Sequence, residues 1–112
     1  MYYSSVLESG TLLRLVYDII YSFYKLYDRV FLPFIIHEYV YKLVEQGIVP
    51  DYWKDWIRTG LGPYSPRLAN IINILKNYGL LVETCTKNGK ICGLYTLPEN
   101  PPKPERVYVT ML

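Results

Sequence analysis

Four residues between positions 67 and 77 are spaced to read the edge of another molecule. Arg67, Asn70, Asn73 and Asn77 recur at intervals of three and four, which on a helix places them along one side. A guanidinium offers a fork of donors, and an amide offers a donor beside an acceptor. Set against duplex DNA, Arg67 matches the O6/N7 edge of guanine or a phosphate, and the asparagines match the N6/N7 edge of adenine. Tyr64 and Ser65 stand just ahead and can donate to phosphate beside the free N–H groups of a helix start. Lys76 falls on the rim of the same stretch. Lys87 and Lys90 flank Asn88-Gly89, where cations can follow a phosphate backbone or enter a minor groove. Each feature also has a plainer reading. Asparagines suit any wet helix face, the lysines can keep a hairpin edge soluble, and Ser65 is a helix cap before it is anything else. Arg67 can pair with a carboxylate, although its own helix offers none.

No constellation for catalysis is visible. The single histidine, His37, sits on the flank of a helix with a structural role expected of it. Gly60-Leu61-Gly62 runs into Pro63 and lacks the third glycine and strand-to-helix setting of a nucleotide loop. The carboxylates are scattered without a marked pair, so nucleophile, base and oxyanion donor are not assembled. The expectation is a protein that is not an enzyme and uses no cofactor or metal.

The elements that position these residues follow from spacing and breakers. Residues 11–27 read as a helix with one narrow polar stripe, Arg14, Asp18, Ser22, Lys25 and then Arg29. The rest of that helix is apolar or Tyr, a face wider than one small domain needs. Either it is wrapped on two sides within the chain or it pairs with a second copy, and the second copy is the preferred reading. A second helix runs from Pro33 to Gln46 with Ile36, Val40, Leu43 and Val44 inward and Gly47 as its stop. Ile48-Val49 is expected to be a brief extended piece. Residues 51–58 are predicted as a short helix capped by Asp51, with Trp53, Trp56 and Ile57 on one face. Gly60-Leu61-Gly62-Pro63 breaks the chain. Ser65 then caps a helix that begins at Pro66 and stops at Gly79, with Leu68, Ile71, Ile72 and Leu75 facing inward.

Asn88-Gly89 is the strongest short hairpin signal, through a type I′ turn, and predicts strands over about 80–87 and 90–97. Counting outward sets Cys85 opposite Cys92, close enough for a disulfide. Free thiols are the equal alternative, since intracellular disulfides are rare outside hyperthermophiles. Two cysteines with one distant histidine do not make a zinc site. Pro98, Pro101, Pro102 and Pro104 give an extended tail segment. The strand-like end, residues 107–112, can dock on a sheet edge, cross a dimer or stay free.

The chain of 112 residues is 51% hydrophobic and has 13 tyrosines, enough for one core with semi-buried aromatics left over. Net charge is only +2, but residues 64–90 carry Arg67, Lys76, Lys87 and Lys90 against Glu83 alone, and local fields attract phosphate more than totals do. No apolar run reaches the ~20 residues of a membrane span and no secretory pattern opens the chain. A soluble, cytoplasmic protein is expected (host cytoplasm if viral).

The order of helix, brief strand, short helix, turn, capped helix and hairpin resembles the winged helix-turn-helix family over about residues 34–97. The stretch Ser65-Pro66-Arg67-Leu68-Ala69-Asn70 through Tyr78-Gly79-Leu80-Leu81 looks like its recognition helix running into the first wing strand. Thr84-Cys85-Thr86-Lys87-Asn88-Gly89-Lys90-Ile91-Cys92-Gly93-Leu94-Tyr95 is similar to the wing. Two departures stand out: the turn at 59–64 is longer and richer in glycine, and helix 11–27 lies outside the motif and resembles the added dimerisation helix of small archaeal and archaeal-virus regulators. The resemblance implies a mainly α, α+β fold with a small β-hairpin: residues 1–32 as a dimerisation element, 33–97 as a winged-helix domain and 98–112 as a Pro-rich tail. It implies a homodimer through residues 11–31 acting as a sequence-specific transcription regulator on double-stranded DNA. The alternative is a winged-helix module for protein–protein contact in a larger assembly.

Overall fold

A computed structural model describes residues 6–28 and 32–112. Among them are three helices and two small antiparallel hairpins, an α+β fold: α1 Leu12–Tyr27, α2 Pro33–Glu45, β1 Ile57–Thr59, β2 Gly62–Tyr64, α3 Pro66–Asn77, β3 Val82–Thr84 and β4 Leu94–Thr96. None of the described helices is long and apolar enough to cross a membrane.

Helix α1 starts where Thr11 accepts a hydrogen bond from the N–H of Arg14, and ends at Asp28 in the left-handed region. It is the central helix. Val16, Tyr17, Ile19, Ile20 and Phe23 are buried against α2 and α3. Its polar stripe does not face water, as its spacing suggested. Asp18 and Ser22 are buried, because the C-terminal segment lies along them. Arg14 donates to the carbonyl of Lys103, Tyr17 to that of Pro102, and Asp18 Oδ2 receives the N–H groups of Glu105 and Arg106. Ser22 receives the N–H of Tyr108, and Tyr39 of α2 donates to the carbonyl of Tyr108. The tail is thus a strap with no regular secondary structure, satisfied by side chains instead of a ladder. Burial pushes the Asp18 carboxyl above its usual range, against the pull of Arg14 at 3.3 Å and of the two strap N–H groups. Lys25 alone of the stripe's far half is exposed; Arg29 lies outside the described residues.

The strap covers the polar stripe of α1, while α2 and α3 cover Val16, Tyr17, Ile19, Ile20 and Phe23. Leu12, Leu13, Leu15, Tyr21 and Tyr24 are half-buried and Leu26 is 45% exposed, so the apolar face that suggested a homodimer through residues 11–31 is only partly covered within the chain. One buried cluster runs from Leu7 to Tyr108 and takes members from the N-terminal, middle and C-terminal segments alike.

Helix α2 carries Pro33 at its first turn and buries Ile36, Tyr39, Val40 and Leu43, with Val44 half-buried. Ile48-Val49 forms no strand; both N–H groups fold back onto the carbonyl of Leu43 while Val49 is buried. The helix expected at 51–58 is also absent. Asp51 does cap, with Oδ1 receiving the N–H of Trp53 and of Lys54, but the same oxygen takes the indole N–H of Trp56 at 3.0 Å. Lys54 then turns left-handed (φ 61°) and the chain runs extended into β1. Trp and Tyr are modest helix formers and good strand formers, and here tertiary packing decides: Trp53 is fully buried and Ile57 pairs with Tyr64 across β1–β2. The Gly60-Leu61 turn is closed by Thr59, whose hydroxyl donates to the carbonyl of Gly62 and accepts from the N–H of Leu61. Residues 51–56 therefore run without regular secondary structure where the short helix is expected, and the β1–β2 hairpin occupies 57–64, including the expected turn at 59–64.

Candidate nucleic-acid interface

Helix α3 is built as its sequence suggests. Pro66 occupies the first position, Ser65 accepts from the N–H of Leu68 at 3.0 Å, and Leu68, Ile72 and Leu75 are buried. With that stripe fixed inward, Arg67, Asn70, Asn73 and Asn77 are all exposed on the outer side. Twelve residues give a cylinder about 18 Å long, a size that fits a major groove.

The start of α3 is not an open anion site. Ser65 is fully buried, and its hydroxyl donates to Asp55 Oδ1 at 2.6 Å. Asp55 Oδ2 takes the N–H of Arg67 at 2.9 Å, so a carboxylate already sits where a phosphate would meet the helix dipole. The ring of His37, from α2, accepts the N–H of Ser65 at Nδ1 and stacks on Tyr64 at 4.6 Å between centroids. Tyr64 stays exposed on its outer side. Burial lowers the pKa of His37 to about 4, although Asp55 opposes the shift. Burial likewise pushes Asp55 up, but the Ser65 hydroxyl, the Arg67 N–H and the Arg67 charge together bring it below its usual value. Serine, histidine and aspartate thus meet here. Yet the hydroxyl points to the carboxylate and the imidazole holds a backbone N–H, which is a capping network and not a proton relay. Among the carboxylates that show no marked pair in the sequence, Asp55 is the one at this site. No local signal marks it, since it acts on a helix ten residues further on.

Beyond Gly79, Leu80 and Leu81 are buried and the chain enters the β3–β4 hairpin, in register Val82↔Thr96, Glu83↔Tyr95 and Thr84↔Leu94. Lys76 is half-buried and ties α3 to this hairpin, 3.5 Å from Glu83 and over the ring of Tyr95. Its charge is therefore partly neutralised. Cys85 and Cys92 are joined in a disulfide. The paired strands are shorter than expected and the register is displaced. Thr86 bonds the carbonyl of Ile91, which leaves one residue between Thr84 and Thr86 but two between Ile91 and Leu94. That extra residue is a bulge, and Gly93 with φ 82° accommodates it. The type I′ turn is not formed. Only Gly89 of the central pair has positive φ; its N–H bonds the carbonyl of Thr86, and Asn88 Oδ1 accepts from the Thr86 hydroxyl and the Lys90 N–H. Asn88 thus organises the tip, and Lys87 and Lys90 stand exposed on either side of it.

The structure brings Arg67, Asn70, Asn73 and Asn77 onto one outer face and leaves Lys87 and Lys90 free at the end of a hairpin that is joined to the same helix. It removes Ser65 from that surface. No family model, no curated protein and no solved structure matches the chain.

Proposed function

We propose that this chain binds double-stranded DNA with base preference, as a transcription regulator does, with α3 in the major groove and the β3–β4 hairpin on the backbone or in the minor groove. The observation that supports this most is the outward row Arg67, Asn70, Asn73 and Asn77 on a helix whose opposite stripe is buried. The lysine-tipped hairpin beside it adds the cations that hold phosphate. In this reading Arg67 and Asn70 select bases, and Lys87 and Lys90 grip the backbone. The β3–β4 hairpin serves as a wing although an irregular 51–56 segment and the β1–β2 hairpin stand in place of the short helix and turn before α3.

The test is selection from random duplex DNA followed by affinity measurement across salt. Arg67→Ala with Asn70→Ala abolishes base preference while the fold is retained, since neither residue is in the core. Lys87→Ala with Lys90→Ala weakens binding to all sequences and flattens the dependence on salt. Unaltered site selection by the first pair would overturn the assignment of α3.

A second reading, a protein-contact module, has one observation of its own. Val107, Val109 and Met111 point outward from the strap and are 69%, 54% and 77% exposed. An apolar contact there is nearly insensitive to salt, whereas DNA binding falls steeply with it.

A further inference from the structure

The β1–β2 hairpin adjoins a feature that the reading of α3 and the wing does not use. Arg58 lies directly across from Pro63 in the ladder, so both side chains share a face. With Tyr41, Trp56 and Ile57 they line a shallow depression of about 140 Å³. The rings of Tyr41 and Trp56 meet edge to face at 5.2 Å. Arg58 is exposed, and no carboxylate lies within ion-pair distance of it among the described residues. The two acids nearest in sequence are engaged elsewhere: Asp51 holds the indole of Trp56, and both oxygens of Asp55 are taken by Ser65 and Arg67.

The depression is well below the ~300 Å³ at which pockets enclose a free small molecule. It suits one unit of a polymer held elsewhere. Flat apolar rings beside a lone guanidinium match a sugar joined to a phosphate: the C–H face of the sugar lies on the rings and the anion meets the fork of donors. Position agrees with this. Strand β2 leads through Ser65 straight into α3. One cross-strand step and four residues of chain put Arg58 and Arg67 at most about 20 Å apart. The two hairpins join α3 at opposite ends, β1–β2 before it and β3–β4 after it, as two grips on either side of a groove would require.

We propose that Arg58 and the Tyr41–Trp56–Pro63 depression bind one sugar–phosphate unit of duplex DNA, making the β1–β2 hairpin a second backbone grip. This rests on the DNA reading of α3 and extends it to a contact on the other flank. The grip carries no sequence information, so its loss affects all duplexes alike.

The experiment uses the full chain and 20-base-pair duplexes with and without the selected site, with anisotropy titrations of both from 50 to 200 mM salt and hydroxyl-radical protection of the deoxyriboses on the duplex that carries the site. For Arg58→Ala the salt slope becomes shallower by about 0.9, the loss of one neutralised phosphate, and affinity drops by about two- to tenfold at the low end of that range. Protection shrinks at one edge of the footprint. Arg58→Lys retains the slope, because the charge is kept. Unchanged melting temperature in both variants separates the effect from misfolding. If slope and footprint are those of the unaltered protein while the Lys87/Lys90 double variant still flattens the slope, the β1–β2 grip is refuted and the DNA reading stands. If the unaltered protein shows no salt-dependent duplex binding, both fall together.

Discussion

Ser65 donates its hydroxyl to Asp55 at 2.6 Å, while the other oxygen of that carboxylate takes the N–H of Arg67 at 2.9 Å. Two donors at the start of α3 are thereby satisfied by a side chain from the segment before β1, and a negative charge rests against the positive end of the helix. Helix, hairpin and the 51–56 segment are locked through this one group.

Removing it tests the lock. Asp55→Ala is expected to lower unfolding free energy by about 1–2 kcal/mol, the size of a lost cap with its charge. Denaturant titration measures it. Duplex affinity is expected to rise in the same variant, since an anion leaves the neighbourhood of Arg67. A fall in affinity at unchanged fold would mean that Asp55 positions Arg67 for its contact. The depressed pKa of Asp55 means that its contribution is present above about pH 3.8 and is lost as pH falls below it.

His37 gives a separate acid response. Its Nδ1 must be unprotonated to accept the N–H of Ser65, and its pKa drops from 6.5 to about 4 on folding. A depressed pKa means that the unfolded chain binds the proton first. Stability from this group is full above pH 6.5 and falls progressively between 6.5 and 4. The difference corresponds to about 3 kcal/mol. Unfolding curves taken across this window are expected to show the decline in the unaltered protein and its absence in His37→Gln. Parallel declines in both would assign the acid sensitivity to other groups.

What could be read from the residues divides by range. Helix α3 was legible because its signals are local: Ser65-Pro66 at the start, Leu68, Ile72 and Leu75 at core spacing, Gly79 at the end. The outward asparagines followed from the same count. Residues 51–58 misled because Trp53, Trp56 and Ile57 fit a helix face as well as they fit a buried turn and a strand, and Asp51 caps in either case. The stripe Arg14, Asp18 and Ser22 reads as polar from its spacing, but periodicity reports only that a face is polar and is silent on what lies against it. The cysteine pairing was visible as one alternative by counting from Asn88-Gly89, yet the bulge at Gly93 was not, because a register shift depends on the partner strand.

The strap yields a third expectation. Asp18 holds the N–H groups of Glu105 and Arg106 at 3.2 Å each and faces Arg14. Asp18→Ala leaves those two N–H donors without their acceptor and removes the carboxylate that faces Arg14, at a cost of about 3 kcal/mol. Hydrogen exchange is expected to quicken at Glu105, Arg106 and Tyr108 before the helices respond. Asp18→Asn keeps an acceptor and is expected to lose less. Uniform exchange over strap and helices in Asp18→Ala would show that the strap is not a separate unit.

The Cys85–Cys92 bond closes a loop with a sequence separation of seven, and the chain-entropy model gives such a loop about 2.5 kcal/mol. That stabilisation is local. Between Leu81 and Leu97 no residue is fully in the buried core, and Tyr95 alone packs against it, so the helices are expected to depend little on it. Treatment with a small dithiol is expected to raise exchange across Thr84–Leu94 and leave α1 and α3 protected. Duplex affinity is expected to drop without a change in base preference, because Lys87 and Lys90 lose a fixed position while Arg67 and Asn70 keep theirs. Cys85→Ser with Cys92→Ser reproduces the reduced state without reagent. Loss of helix protection on reduction would show that the hairpin supports the core, and unchanged exchange at the hairpin would show that the Asn88 turn and the Gly93 bulge hold it unaided.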